Sequence, residues 1–212
     1  VNKDGIAGVS SKVLAGEVVT MSVNWEHIPA KHRSLIKAFL DEADMSADAI
    51  KTVDFPPAYG ADIVVSCEKA KDPKNGSIYL KPTQFVLGIG CRRDTAFENI
   101  DRAIRQSLLK LQIDISDIDM IASIDVKKDE PGIKEFCERN RIEFVTYTAD
   151  ELMAVQGEFS ASQFVREHVG VDNVCERAAV LACSRECNEA GELIYKKHKY
   201  DRVTVAAARY PD

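Results

Sequence analysis

Apolar and polar positions change period several times over the first eighty residues. Residues 18–23 form a short apolar-rich run after Gly16, as a buried strand does, whereas Leu35, Ile36, Phe39, Leu40 and Ala43 recur at the three- and four-residue spacing of one helix face. Pro29 suits the first turn of that helix, where a missing N–H costs nothing, so the pattern predicts helix over 29–44. Pro56-Pro57 and Gly60 then break the chain. Residues 63–67 predict a buried strand, and 71–76 a polar turn leading into Ile78-Tyr79-Leu80.

The composition changes character near Pro82. From Gln84 onward, strand-like and helix-like stretches alternate over 85–89, 95–111, 118–124, 131–140 and 142–147, which implies parallel strands joined by helical crossovers. Thr95 with Glu98, Thr148 with Glu151 and Ser160 with Gln163 match the capping box, in which side chain and backbone satisfy each other's donors. Phe97, Ile100, Ile104, Leu108 and Leu111 make one apolar stripe. Gly170 is placed to end a helix begun near Ser162, and Asp172 to cap the next, with Val174, Ala178 and Leu181 facing inward. Residues 193–197 and 202–208 read as an antiparallel hairpin. The expectation is two small α/β domains, residues 1–82 and 83–212, the second a three-layer sandwich around a mixed, mainly parallel sheet.

The chain has 212 residues, of which 45% are apolar and 29% charged, ordinary globular values that argue against disorder and coiled coil. No stretch approaches the roughly 20 apolar residues that span a bilayer, and no signal peptide opens the sequence. A protein in the cytoplasm, without membrane contact, is expected. Because 28 basic residues meet 34 acidic ones, the net charge is −6 and gives no general pull toward nucleic acid or anionic lipid. Anion binding must therefore come from local basic clusters. The six cysteines, at 67, 91, 137, 175, 183 and 187, lack paired zinc spacing and read as free thiols, and the four histidines, at 27, 32, 168 and 198, form no legible metal set or triad.

Three clusters carry possible chemistry. Gly88-Ile89-Gly90-Cys91-Arg92-Arg93 sits between a strand and a helix, where glycines admit a ligand to the backbone and arginines grip carboxylate or phosphate. It is not a dinucleotide fingerprint, since Arg93 stands where the third glycine belongs, and it lacks the lysine of a P-loop. Asp125, Lys128 and Glu130 follow the next strand, and Cys175 and Glu176 open a later helix. Each also has a bland reading. The first is then a tight turn with solvated arginines, the second a solvated charged loop, and the third a glutamate favoured by the helix dipole.

Gly88-Ile-Gly-Cys-Arg-Arg93, the segment from Ile124-Asp125 to Lys128-x-Glu130 with Gly132 after it, Val174-x-Glu176-x-Ala-Ala179, and Lys197 with Thr204-Val-Ala-x-Ala208 occur in this order. Over residues 83–209 they resemble the C-terminal domain shared by the CbiG and CobE cobalamin-biosynthesis proteins. Residues 1–82 resemble the middle segment of CbiG, which points to that family, the cobalt-precorrin-5A hydrolases of the anaerobic corrin pathway. The resemblance implies that water opens a δ-lactone on the macrocycle and that a bridging carbon with its methyl group leaves as acetaldehyde. It also implies a cobalt-corrinoid substrate that brings its own metal, so no cofactor or protein-held metal is expected. Other corrin-pathway enzymes are the expected partners, and a homodimer is a base-rate expectation. The family's N-terminal Gly-His-x-Gly-Gly-Ala-Asn type motif does not occur, which implies a shortened chain.

Under this resemblance, Arg92, Arg93, Lys128 and Lys197 would bind the substrate carboxylates, together with Gly88, Gly90, Cys91 and Asp125. Glu176 or Glu130 would act as base, and the amides of Gly90 and Cys91 would stabilise developing negative charge. The alternative is a non-catalytic tetrapyrrole-binding or handover module that uses the same cations without an acid–base pair.

Overall fold

A computed structural model describes residues 3–26, 28–45, 50–55, 60–67, 77–160, 170–187 and 190–211. The chain divides into two compact units, residues 1–82 and 83–211.

In the first unit, α1 (Lys3–Leu14), β1 (Val19–Val23), α2 (Ala30–Met45), β2 (Ile50–Val53), β3 (Ile63–Val65) and β4 (Ile78–Leu80) follow one another. All its strand pairs are parallel, in the order β2-β1-β3-β4. Met21, Val23, Ile28 and Val65 form its core, with Ile36 and Leu40 of α2 packed against them. The predicted strand over 63–67 stops at Val65. Neither α1 nor β2 was expected: α1 carries a weakly apolar, glycine- and serine-containing sequence, and β2 is only four residues long.

The second unit runs β5 (Phe85–Cys91), α3 (Phe97–Leu111), β6 (Ile118–Ile124), α4 (Pro131–Asn140), β7 (Glu143–Tyr147), α5 (Ala149–Ala154), α6 (Val174–Cys187), β8 (Glu192–Lys199) and β9 (Val203–Arg209). Its sheet has the order β7-β6-β5-β9-β8, and β9 is antiparallel to both its neighbours, so four of five strands run the same way. This is the mixed, mainly parallel sheet expected. One face buries Leu87, Ile89, Ile100, Ile104, Ile121, Ile133 and Phe136 beneath α3 and α4; the other buries Val86, Met120, Ala122, Ala208 and Leu152 beneath α5 and α6.

α6 lies unusually near the sheet because its inner face is small: Cys175, Ala178, Ala179, Ala182 and Cys183 are each at most 1% exposed. Gly88 completes the fit, since a Cβ there would stand 1.7 Å from the carbonyl oxygen of Cys175. Side chains of this size let backbones approach until main-chain atoms touch, and that approach carries the first turn of α6 to the carboxyl end of β5.

Two helix starts differ from expectation. The N-cap of α3 is Ala96, without a side-chain cap; Thr95 instead donates its hydroxyl to Arg92 O at 2.6 Å. α6 is capped by Asn173, whose Oδ1 accepts the Glu176 amide at 3.0 Å, while Asp172 binds the Arg177 guanidinium. The Thr148–Glu151 box forms as expected. The Ser160–Gln163 box, the helix from Ser162, the 71–76 turn, Pro56-Pro57, His27 and His168 fall outside the described residues.

Candidate functional site

A cavity of about 800 Å³ opens in the second unit where β5, β6 and β8 reach their carboxyl ends. Ligands of α/β sheets bind at such ends, because loops and helix starts converge there. Its volume lies toward the upper end of the roughly 300–1,000 Å³ of small-molecule sites. Gly90 and Cys91 come from the end of β5, Arg92 and Arg93 from the turn after it, Ile124, Val126 and Lys127 from the end of β6 and the residues after it, Asn173 to Cys175 from the start of α6, and Lys197 and residues 199–204 from the β8–β9 hairpin. Asp94 takes a left-handed φ of 56°, which an aspartate tolerates, and so turns the chain from β5 toward α3.

Among the described residues, six cations line this cleft: Arg92, Arg93, Lys127, Lys197, Lys199 and Arg202. Asp201 is the one carboxylate among its described lining residues. Between the cations lie Ile124, Val126, Val174, Val203 and Tyr200. Val126 is 66% exposed, which leaves apolar surface open within a charged rim. Three of the cations are held in place: Lys127 by Glu130 at 2.9 Å, Lys197 by Ser160 O at 3.2 Å, and Arg202 by Arg93 O at 3.3 Å. Tyr200 is fixed by a chain of hydroxyls. Ser107 donates to Ala103 O, so it accepts from Tyr200, which in turn accepts from Tyr195.

The expected residues divide into two groups. Gly90, Cys91, Arg92, Arg93 and Lys197 line the cleft, and Gly90 is tight, since a Cβ would meet Thr204 Oγ1 at 2.7 Å. Gly88, Asp125, Lys128, Glu130 and Glu176 do not line it. Gly88 lies under α6 and serves packing. Asp125 begins a short 3₁₀ turn, Asp125–Lys127, whose last residue Lys127 reaches the cleft while Lys128 stays exposed to solvent.

The two glutamates expected as bases are instead committed to the frame. Glu176 is fully buried, and it accepts the Ser160 amide and hydroxyl, each at 2.8 Å, and the Lys197 amide at 2.6 Å. A buried carboxylate needs such donors, and these occupy the oxygens a base would use. Glu130, 6% exposed, accepts the Thr95 amide at 2.9 Å as well as the Lys127 ammonium. Cys91 and Cys175 lie on the cavity wall, but burial pushes their thiols up to about 11 and about 12. Both are therefore protonated at neutral pH and poor nucleophiles.

Lys127, Asn173, Lys199, Tyr200 and Arg202 were not singled out from the sequence. Strand alternation offered a signal for Lys199, two residues from Lys197 on β8. Arg202 is placed by the pairing of β9 with β5, where the Arg92 amide donates to Arg202 O at 3.0 Å. Among the described residues, no three or more His, Cys, Asp or Glu side chains gather as a metal site. No described helix is long and apolar enough to cross a membrane.

A family model described as Cobalamin synthesis G C-terminus matches residues 85–208. Over 102 residues the chain is 38% identical to a cobalt-precorrin-5A hydrolase of Salmonella typhimurium, covering 48% of this chain and 29% of that protein. Over 138 residues it is 31% identical to a cobalt-precorrin-5A hydrolase of Priestia megaterium, covering 65% and 35%. The crystal structure of CobE, described as a protein from the cobalamin (vitamin B12) biosynthetic pathway, matches with a TM-score of 0.56 at 26% identity, over 59% of this chain and 89% of that one. The chain thus spans about a third of the length of these two hydrolases.

Proposed function

Because the chain belongs to the cobalamin synthesis G C-terminus family, we propose that its second unit binds an anionic cobalt-corrinoid intermediate, and that it does so in the hydrolysis of cobalt-precorrin-5A. The observation that carries this reading is the cleft itself, whose described lining sets six cations and one carboxylate around apolar walls, on a chain of net charge −6. A flat macrocycle edged with acetate and propionate groups fits that pattern. Its ring would lie against Val126, Val174, Val203 and Tyr200, and its carboxylates would meet the cations, in bidentate fashion at arginine.

In the reaction, water adds to the lactone carbonyl and the ring C–O bond breaks, leaving a carboxylate and a hydroxyl-bearing carbon. That hydroxyl then loses its proton and the carbon's bond to the macrocycle breaks. The electron pair passes into the conjugated ring as acetaldehyde departs. Arg92, Arg93 and Lys197 would hold the substrate and balance the carboxylate as it forms.

The test is anaerobic incubation of the chain with cobalt-precorrin-5A, following both binding and released acetaldehyde. The double change Arg92→Ala with Arg93→Ala is expected to weaken binding by about tenfold or more, with the loss shrinking at high salt. Wild-type affinity in that variant would end the reading. One observation favours a second reading, a handover module serving other corrin-pathway enzymes: the only carboxylate on the described wall is Asp201, and both thiols there are protonated. Binding without acetaldehyde would support handover, and acetaldehyde release would support hydrolysis.

A further inference from the structure

We propose that Glu130 is a positioning residue that holds the Lys127 ammonium in reserve, and thereby sets how tightly the cleft grips a polyanion. The inference rests on the anion-binding reading above and assigns Glu130 a task other than moving protons.

One carboxylate joins two of the four segments around the cleft. Glu130 Oε1 accepts the Thr95 amide and Oε2 the Lys127 ammonium, each at 2.9 Å. The Thr95 hydroxyl donates to Arg92 O at 2.6 Å, and a Cβ on Gly132 would stand 2.2 Å from Thr95 O. The turn that presents the arginines is therefore buttressed by the start of α4, with Glu130 as the strut. The Lys127 side chain is 15% exposed and lines the cavity, but its charge faces a carboxylate that is 4% exposed. Among the described residues, Arg92, Arg93 and Lys199 make no side-chain hydrogen bond or ion pair, and Lys197 and Arg202 donate only to neutral carbonyls. Lys127 alone of these six is paired with a described carboxylate.

An ion pair this enclosed presents little net field to a ligand, so five cations act and the sixth is cancelled. A glutamine at 130 keeps an oxygen for the Thr95 amide, and with it the strut, but turns a neutral amide toward Lys127. The cleft then gains one positive charge. Weaker binding has a use here, because affinity shared equally by substrate, transition state and product adds nothing to the chemical step and slows release.

The experiment titrates the chain with uroporphyrin III, a flat tetrapyrrole with eight carboxylates, at low ionic strength. Glu130→Gln is expected to bind about three- to tenfold more tightly than wild type. Lys127→Met should bind more weakly, and the double variant should return to within about twofold of wild type, since a neutral pair replaces a neutral pair. A proton carrier would show no change of affinity in Glu130→Gln, and a merely structural strut would show a loss in both Glu130→Gln and the double variant. Either result overturns the proposal. The double variant leaves no buried charge unpaired, so it tests the idea even where Glu130→Gln does not fold; a tenfold loss there overturns it. If wild type fails to bind the porphyrin, the anion-binding reading falls and this inference with it. Binding by wild type without the charge-dependent ladder removes the role of Glu130 alone.

Discussion

At the scale of single residues, the two glycines of β5 that precede the arginines have different tasks. Gly88→Ala drives a methyl group to 1.7 Å from a backbone carbonyl, which no rotamer relieves, whereas at Gly90 the obstacle is the Thr204 hydroxyl, which can turn aside. Gly88→Ala is expected to destabilise the unit by about 3 kcal/mol or more, and Gly90→Ala by about 1 kcal/mol. Urea denaturation of the two variants measures the contrast, and equal losses would contradict the packing account. The sequence marked both glycines through their place between strand and helix, and it marked the arginines through their charge. It did not separate Lys127 from Lys128, because adjacent residues of like charge differ only in the direction a short 3₁₀ turn gives them. Nor did it show that Glu130 and Glu176 are committed, because the backbone amides they accept lie 35 residues away at Thr95 and 16 and 21 away at Ser160 and Lys197.

At the scale of elements, α6 depends on its first turn. Asn173 receives the Glu176 amide and donates through Nδ2 to Ser160 O at 2.9 Å, so a single side chain caps the helix and holds Ser160 against its first turn. Asn173→Ala is expected to cost about 1–2 kcal/mol, read as a lower denaturation midpoint with unchanged slope. Strands and helices with strong periodicity were legible within a residue or two; 118–124 and 131–140 were read with their observed bounds. Caps were less legible. At Thr95 a tertiary carboxylate, Glu130, takes the amide, and between Asp172 and Asn173 the choice turns on which one Arg177, five residues on from Asp172, occupies. α1 was missed because its apolar positions are spaced among glycine and serine, and β2 because four residues establish no period.

At the scale of the whole molecule, buried acids of the neutral kind shape the alkaline side of stability. The thiols of Cys91, Cys137 and Cys175 are pushed up to about 11, 12 and 12 by burial, and burial also raises Tyr195 and Tyr210. An unfolded thiol releases its proton near the ordinary value of 9.0, so between that pH and 11–12 the folded chain binds more protons than the unfolded one. The contribution of these groups to stability is therefore intact below pH 9 and is lost as pH rises above it. Thermal melts at pH 8 and pH 10.5 are expected to show a clear drop at the higher value. A midpoint that stays level would mean these groups ionise in the folded state.

The strand order also bears on how the protein is made. β9 is the last of the five strands to leave a ribosome, yet it lies inside the sheet, between β5 and β8, with Ala206, Ala207 and Ala208 fully enclosed. Until those residues emerge, β5 presents a bare edge, and α6 rests on a layer with its neighbour missing. Synthesis must therefore run nearly to the end of this unit before its core can close, and the same late strand brings Arg202, Val203 and Thr204 to the cleft, so the basin for anions and the hydrophobic interior are completed in one event.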